Sequence, residues 1–374
     1  MTADCRAPLP PSPRLRNLAP CPHGSITDGE LQALGLDRSL VIDFSASTNP
    51  LGPSPAVRQA LAAVEIGRYP DDDAIALHRT LAAHTGLDSS CLLAGNGSSE
   101  LIWLLALAYL DPGDHVLVVG PTFGEYARAA RIMGAAVTEW RADAAADFRP
   151  DVPALCAAIR RLGPKIVFLC NPNNPTGVLL RRSEIERVLA ATPGLLVLDE
   201  AYIGFVAEPP ATLDLIVGSR LVVLRSLTKD CALTGLRLGY AAAAPPVIEA
   251  LRQVRPPWSV NAAAQAAGMA ALGDAVHLER SLAVVREAKA YLLAELPRLG
   301  WRVVPSMANF LLVEVGDGAR FRQQLLRHGC VVRDCASFGL PAYVRIGVRT
   351  LPECQRLVTA VAAIRTAPAA GGRS

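Results

Sequence analysis

The stretch Ile166-Val-Phe-Leu-Cys170-Asn-Pro-Asn-Asn174-Pro-Thr-Gly177 begins as an unbroken apolar run and ends in Asn, Pro and Gly. Five consecutive apolar residues indicate a strand that is buried on both faces. Two X-Pro pairs and a glycine then end the strand at once. This combination is typical of a strand in a parallel α/β sheet, with a polar loop at its carboxyl end.

The same pattern recurs along the chain. Buried strands are predicted at His115–Val119, Ile166–Cys170, Leu195–Leu198 and Leu221–Leu224. The Ala-, Leu- and Arg-rich stretches between them, such as Glu125–Met133 and Arg182–Ala190, predict helices. Strand and helix in alternation predict the α/β class, a mostly parallel central sheet with helices on both faces. The ligand of such a sheet binds at the carboxyl ends of the strands.

After about residue 265 the pattern changes to that of a smaller α+β domain. Its predicted strands are Trp301–Val304, Phe310–Val315, Cys330–Arg333 and Tyr343–Gly347. We therefore divide the chain into a flexible tail (1–20), a segment that packs on the small domain (21–65), a large domain (66–264), the small domain (265–365) and a second tail (366–374).

Composition excludes several classes of protein. The 374 residues carry a net charge of only +3, which does not favour a nucleic-acid or membrane partner. The nine cysteines are scattered singly, so neither a disulfide framework nor a zinc site is expected, and no metal is predicted. The longest apolar run, 101–110, is too short to span a membrane. The N-terminus does not look like a secretory signal, and we expect a cytoplasmic protein.

The chain has only three lysines, and one of them, Lys229, follows a predicted strand in Arg225-Ser-Leu-Thr-Lys229-Asp-Cys. A lysine there is either a solvated surface charge or an amine that forms a Schiff base with an aldehyde. The hydroxyl of Ser226 and the guanidinium of Arg237 flank it, and together they could hold a phosphate.

A carboxylate ends another predicted strand, in Leu-Leu-Val-Leu-Asp199-Glu-Ala-Tyr202. It is either a turn cap or the partner that keeps a pyridine nitrogen protonated, as pyridoxal phosphate requires. Tyr202 could reach the phenolic oxygen of that ring, and Asn174 is a further candidate for a cofactor oxygen.

Two more motifs follow strands or precede a helix. Ala94-Gly-Asn-Gly97-Ser98 leads into the apolar helix, where free N–H groups and the helix dipole favour an anion. In Gly120-Pro-Thr-Phe123-Gly-Glu-Tyr126, Phe123 is either a core residue or a ring that stacks on an aromatic cofactor. The whole set matches one cofactor, pyridoxal phosphate.

In this order and spacing, the Asn-Asn-Pro-Thr-Gly, Asp-Glu-Ala-Tyr and Ser-x-x-Lys…Arg-x-Gly motifs resemble those of the fold-type I pyridoxal-phosphate enzymes, in their class I/II aminotransferase branch. The resemblance runs from about His23 to Arg349. It implies the fold of that family, pyridoxal 5'-phosphate as cofactor and a homodimer.

The resemblance also implies a role for each matching residue. Lys229 matches the Schiff-base lysine, Asp199 the partner of the pyridine nitrogen, and Tyr202 and Asn174 the groups on the ring oxygen. The remaining matches are Gly97, Ser98, Ser226 and Arg237 in the phosphate cup, Phe123 as the stacking ring, and Tyr69, which crosses the dimer interface to the neighbour's cofactor phosphate.

Substrate binding is implied for Arg345, which matches the arginine that pairs with the substrate carboxylate, and for Asn174 beside the cofactor. A small phosphorylated amino acid needs a second basic site. Its candidates are His23, Arg349 and Arg333.

Within the branch, the sequence looks more like threonine-phosphate decarboxylase than histidinol-phosphate aminotransferase. The reasons are Thr228 before the lysine, Phe123, the His23-Gly24 pair and the segment Asp43-Phe-Ser-Ala-Ser-Thr-Asn-Pro-Leu-Gly52. We therefore expect a lyase that converts L-threonine O-3-phosphate to (R)-1-aminopropan-2-yl phosphate for cobalamin biosynthesis. The alternative is histidinol-phosphate aminotransferase, or a related enzyme that uses 2-oxoglutarate.

Two hypotheses from other functional classes remain as alternatives. A catalytically inactive ligand-sensing module would keep the fold, but Lys229 and Asp199 are both present. A nucleotide-binding oxidoreductase would fit the alternation of strands and helices, but its G-x-G-x-x-G fingerprint is missing.

Overall fold

A computed structural model describes residues 12–15, 18, 26–33 and 35–366. Residue 366, predicted as the first of the C-terminal tail, instead ends the last helix, while 367–374 and most of the tail 1–20 lie outside these residues. The strands are β1 Ile42–Asp43, β2 Leu92–Gly95, β3 His115–Gly120, β4 Ala136–Arg141, β5 Ile166–Cys170, β6 Leu195–Asp199, β7 Leu221–Ser226, β8 Gly239–Ala243, β9 Arg302–Val304, β10 Phe310–Glu314, β11 Cys330–Val331, β12 Arg333–Asp334 and β13 Tyr343–Gly347.

The helices alternate with these strands. They are α1 Asp28–Ala33, α2 Pro55–Ala62, α3 Ile75–Thr85, α4 Gly97–Tyr109, α5 Glu125–Ile132, α6 Val152–Leu162, α7 Arg182–Ala191, α8 Pro245–Val254, α9 Ala262–Leu272, α10 Ala275–Arg298, α11 Gly318–Arg327 and α12 Leu351–Thr366.

Seven strands form the larger sheet, in the order β2-β8-β7-β6-β5-β3-β4. The strands from β7 to β4 are parallel, and β8 runs antiparallel to both of its neighbours. Residues of β6 enter two cores in alternation, with Leu196 and Leu198 in one and Leu195 and Val197 in the other. Helices therefore cover both faces, and this explains the continuous apolar strands. The predicted fold class is confirmed.

Three strands of the larger sheet, β2, β4 and β8, escaped prediction, the last two for opposite reasons. Strand β4 is half exposed and lies at the sheet edge, so its pattern is not apolar. Strand β8 reads Gly-Tyr-Ala-Ala-Ala, which has low strand propensity, but it is fully buried between β2 and β7. A side chain on Gly239 would place its Cβ 2.6 Å from the Ser98 nitrogen. Small residues in β8 therefore let the start of α4 approach the sheet.

The smaller sheet is antiparallel, in the order β12-β13-β10-β9, and α10 and α12 pack beside it. The single strand predicted at 330–333 is instead two short strands. Strand β11 pairs in parallel with β1, whereas β12 pairs with β13. The chain thus changes partner at Val332. The domain boundary predicted at residue 265 falls within α9, and the division stays a prediction.

Within the part of the chain that the structure describes, no helix has both the length and the apolar character that a membrane crossing needs.

Lys289, on α10, connects this long helix to the loop before β10. Its ammonium donates to the carbonyls of Ser306 (2.6 Å) and Ala308 (2.8 Å). The next N–H of that loop, from Met307, donates to the carbonyl of Gly177 at 2.8 Å. Burial lowers the pKa of Lys289 from 10.5 to about 8, because no carboxylate among the described residues offsets the loss of water.

Replacing this amine tests the pKa. Between pH 8 and 10.5 the folded protein releases the Lys289 proton before the unfolded chain does, so this group makes stability rise with pH. We expect the wild type to gain up to about 3 kcal/mol over Lys289→Met across this range. Urea unfolding of both proteins at several pH values measures it.

Lys165→Met is the matched control. Lys165 pairs with Asp114 at 2.7 Å, and this hydrogen bond raises the pKa of the lysine. The stability that Lys165 contributes is therefore lost only above the ordinary pKa of lysine. Lys165 gives no rise in stability between pH 8 and 10.5. A wild-type advantage over Lys289→Met that is constant with pH would contradict the assignment.

Candidate active site

A cavity opens at the carboxyl edge of the larger sheet, where several strands end side by side. Cys170 ends β5 and lies opposite Asp199, which ends β6. Eight of the residues predicted for the site line this cavity: Ser98, Phe123, Asn174, Asp199, Tyr202, Ser226, Lys229 and Arg237. Five further lining residues are Ser99, Tyr126, Cys170, Ala201 and Thr228. Most of the predicted set is therefore in one place.

Asp199 is a buried carboxylate with a hydrogen bond to each oxygen. The Tyr126 hydroxyl donates to Oδ2 at 2.7 Å, and the Ala201 N–H donates to Oδ1 at 3.0 Å. Burial raises the pKa of Asp199, while these two donors and the charge of Lys229 lower it in part. An anion held in this way is a natural partner for a cationic ring nitrogen.

Lys229 follows β7 and extends across Tyr202, with its Nζ 5.7 Å from the centre of that ring. The backbone here is held from the N-terminal segment. The Asn49 N–H donates to the Lys229 carbonyl (2.8 Å), and its side-chain amide donates to the Asp230 carbonyl (2.9 Å) and to Ser281 Oγ (2.8 Å). Asn49 therefore fixes the lysine loop against α10.

An anion-binding corner lies where α4 begins. Gly97 has a φ of +78°, and a Cβ there would stand 2.8 Å from Nη2 of Arg237. The guanidinium is thus seated directly on the first turn of a helix, whose N–H groups and dipole favour an anion. Ser226 and Thr228 add two hydroxyls, 2.7 Å apart. These groups fit a phosphate.

Arg345, on β13, joins the smaller sheet to the cavity. Its Nη1 donates to Asn174 Oδ1, and its Nη2 donates to the Ser45 carbonyl at 2.8 Å. The guanidinium is buried over the ring of Phe310, and its Nε has no hydrogen-bond partner in the described structure. A buried guanidinium with a donor to spare suits a bound carboxylate or phosphate.

Asn174 differs from the other two asparagines of its loop. Asn171 exchanges hydrogen bonds with Leu180, and Asn173 bonds Pro121, Thr122 and Thr176. Both therefore shape the loop, while Asn174 alone of the three lines the cavity.

The remaining candidates lie outside the cavity lining. Arg349 pairs with Glu353 at 3.0 Å. Arg333 lies directly opposite Arg345 in the register of β12 and β13, and donates to Ser337 Oγ at 2.7 Å. Tyr69 is 79% exposed and stacks on Trp258. His23 lies outside the described residues.

Sequence reasoning missed Tyr126, Thr228 and Asn49. A signal existed for Tyr126, because it stands three residues after Phe123 in the same motif that follows β3. Thr228 lies between two predicted site residues. Asn49 had no local signal, since its contacts are with residues about 180 and 232 positions away in the chain.

Comparison with known proteins gives the family. Residues 39–361 match the family described as aminotransferase class I and II. The chain belongs to this family. The membership confirms the predicted fold-type I architecture and dependence on pyridoxal phosphate.

Several members of the class I and II aminotransferases are close in sequence. The chain is 41% identical to histidinol-phosphate aminotransferase of Symbiobacterium thermophilum, over 93% of this chain and 97% of that protein. It is 38% identical to the Moorella thermoacetica protein of the same name, over 86% and 84%.

Solved structures agree with these likenesses. A putative histidinol-phosphate aminotransferase from Erwinia carotovora atroseptica is 28% identical, with a TM-score of 0.81 over 87% of this chain and 96% of that one. The Sinorhizobium meliloti enzyme in complex with pyridoxal-5'-phosphate shares the fold at 23% identity, with a TM-score of 0.85 over 95% and 97%.

The prediction of threonine-phosphate decarboxylase is wrong, and with it the lyase and cobalamin assignments. The relatives that span the chain at 36–41% identity are histidinol-phosphate aminotransferases, so the alternative fits better. The Thr228 hydroxyl, one of the features on which that prediction rested, lies 2.7 Å from the Ser226 hydroxyl at the cavity, a contact that a serine could equally make.

The buried Asp199 carboxylate should cost stability in the cofactor-free protein. A carboxyl whose pKa is raised on folding is destabilising above that pKa, so removing the charge should help. We expect cofactor-free Asp199→Asn to melt about 2 °C or more above the wild type at pH 7. The difference should shrink as the pH falls through the raised pKa of Asp199. Thermal melts over a pH series check this.

Asp317→Asn is the control, since Asp317 caps α11 through the Arg320 N–H at 3.0 Å and asparagine caps equally well. Its melting temperature should follow the wild type at every pH. A cofactor-free Asp199→Asn that melts below the wild type at pH 7 would show that the carboxylate is stabilising where it lies.

Proposed function

We propose that this aminotransferase moves an amino group between L-histidinol phosphate and 2-oxoglutarate. The observation that carries the proposal is the 41% identity to a histidinol-phosphate aminotransferase over 97% of its length. The geometry of the site supports it through a cofactor-sized set of groups and two arginines on neighbouring strands.

The cavity residues fit pyridoxal phosphate by the chemistry of their donors. Asp199 suits the ring nitrogen, Tyr202 the ring oxygen and Phe123 the ring face, while Ser226 and Arg237 suit the phosphate. When bound, the cofactor supplies an aldehyde that condenses with amines and a ring that accepts electron density. The protein supplies the orientation and the proton movements.

Lys229 is the amine that we assign to aldehyde capture and proton transfer. It is the only lysine among the cavity-lining residues that the structure describes. With the cofactor and a substrate bound, Lys229 would be the amine available to take a proton from the substrate Cα and to return it elsewhere. Transamination requires this movement, and a decarboxylase does not begin with it.

Arg345 and Arg333 form the anion site that we propose for the substrates. Because residues paired across antiparallel strands project to the same face, the two side chains are neighbours. Glutamate and 2-oxoglutarate bring carboxylates, and L-histidinol phosphate brings a phosphate. Arg349 is the weaker candidate, because Glu353 already pairs with it.

A homodimer remains part of the proposal. The exposed stack of Tyr69 on Trp258, with ring centres 4.4 Å apart, and the 88% exposed Ile66 place apolar surface where a second copy could cover it. Tyr69 would then reach the cofactor phosphate of the partner.

The decisive assay measures the formation of glutamate. Cofactor-loaded protein with L-histidinol phosphate and 2-oxoglutarate should form glutamate, and Lys229→Ala should not. With L-threonine O-3-phosphate and no keto acid, we expect no release of CO2. Loaded protein that forms no glutamate, or that releases CO2, would refute the proposal.

Arginine substitutions test the anion site. Arg333→Gln should raise the KM for L-histidinol phosphate roughly tenfold or more, since each charge-assisted hydrogen bond contributes about 1.5–3 kcal/mol. Arg349→Gln, of identical chemistry, should change that KM less than about threefold. Steady-state kinetics give both values, and the reverse ranking would move the phosphate to Arg349.

A further inference from the structure

Tyr126 is the most completely buried large aromatic residue at the cavity, and its role was not foreseen from the sequence. It is 1% exposed, on the first turn of α5, and its hydroxyl donates to Asp199 Oδ2 at 2.7 Å. The only other hydrogen bond to this carboxylate among the described residues is from the Ala201 backbone. One side chain thus supplies half of the hydrogen bonds to a buried anion.

The ring of Tyr126 is fixed on both sides. It stacks on Phe168 of β5, with ring centres 5.0 Å apart and planes 10° apart, and meets Phe123 edge-on at 5.6 Å. Phe123, three residues earlier in the chain, lines the same cavity. The same side chain therefore contacts the ring that stacks on the cofactor and the carboxylate that meets its nitrogen.

We propose that Tyr126 is a positioning residue that keeps Asp199 ionised and aimed at the cofactor nitrogen, and so sets where the proton between them resides. The inference rests on the proposed cofactor role of Asp199. With the phenol donating, the carboxylate is a weaker base and the proton stays on the ring nitrogen. Without it, Asp199 takes the proton and the ring loses its positive charge.

The charges around Asp199 are few. Tyr126 faces it from α5, Cys170 from β5 and Lys229 from the loop after β7. Glu200, the next residue along, is held by Arg225 at 2.6 Å and by Thr212 at 2.8 Å. Burial raises the pKa of both Tyr126 and Cys170, so neither adds a negative charge near neutral pH. Among the described residues, Lys229 is the positive charge that lowers the pKa of Asp199.

The test uses the visible absorbance of the cofactor-loaded protein, which reports the protonation of the Lys229 nitrogen as the pH is varied. A positive ring lowers the pKa of that nitrogen. We expect Tyr126→Phe, which keeps the ring and its stacking, to move the titration midpoint up by about one pH unit. Cofactor affinity should fall at the same time.

Tyr240→Phe is the matched control. Tyr240 is also a buried tyrosine, at 3% exposure on β8, and it is not among the cavity-lining residues. Its midpoint should equal that of the wild type. A purely structural role for Tyr126 would lower the melting temperature without moving the midpoint, and that result would overturn the proposal.

A second variant tests the same proposal if Tyr126→Phe folds poorly. Site-specific 3-fluorotyrosine at position 126 retains the shape and makes the hydroxyl a stronger donor, so the midpoint should move down. An unchanged midpoint in that protein would overturn the proposal. A wild type with no visible band after loading would refute the cofactor role, and this inference with it.

Discussion

The hydrogen bond from Arg345 to Asn174 is the contact on which the site depends, because it joins the smaller sheet to the cavity of the larger one. Arg345 lies on β13 and Asn174 in the loop after β5, and the guanidinium also donates to the Ser45 carbonyl. Three distant parts of the chain thus meet at one buried cation. A buried cation is tolerated only when it is hydrogen-bonded, so the two halves must pack accurately for this group to be satisfied.

The buried negative charge of the site, on Asp199, lowers the stability of the cofactor-free protein. Asp199 is buried at the end of a strand, with no ion-pair partner among the described residues. Burial raises its pKa, and two donors and the charge of Lys229 offset this only in part. Such a group reduces the stability of the empty protein and becomes favourable only when a cation is bound against it. Active sites commonly retain this kind of strain because function requires it.

The sequence allowed much of this to be predicted, wherever the signal was local. The strands at 115, 166, 195 and 221 have unbroken apolar runs, and the polar residues that follow them converge because parallel strands end at one edge. Strand β8 was missed because its Gly and Ala residues are set by the close approach of α4, which is a tertiary constraint. The role of Asn49 and the pairing of Arg333 with Arg345 could not be predicted from the sequence either, since both depend on contacts between distant parts of the chain. The reaction was predicted wrongly because it was argued from single positions such as Thr228 and Phe123, whereas the relatives that match over most of the chain are histidinol-phosphate aminotransferases.

The segment from Phe44 to Asn49 has a mechanical consequence. The Phe44 N–H donates to the Val331 carbonyl, and the Phe44 carbonyl accepts from the Gly347 N–H. The Ser45 carbonyl accepts from Arg345, and the Asn49 N–H donates to the carbonyl of Lys229. The same six residues therefore connect the backbone of β11 and β13 at one end to the backbone of Lys229 at the other. A displacement of the smaller sheet relative to the larger one would strain these backbone hydrogen bonds, so the segment resists a change in the separation between Arg345 and Lys229.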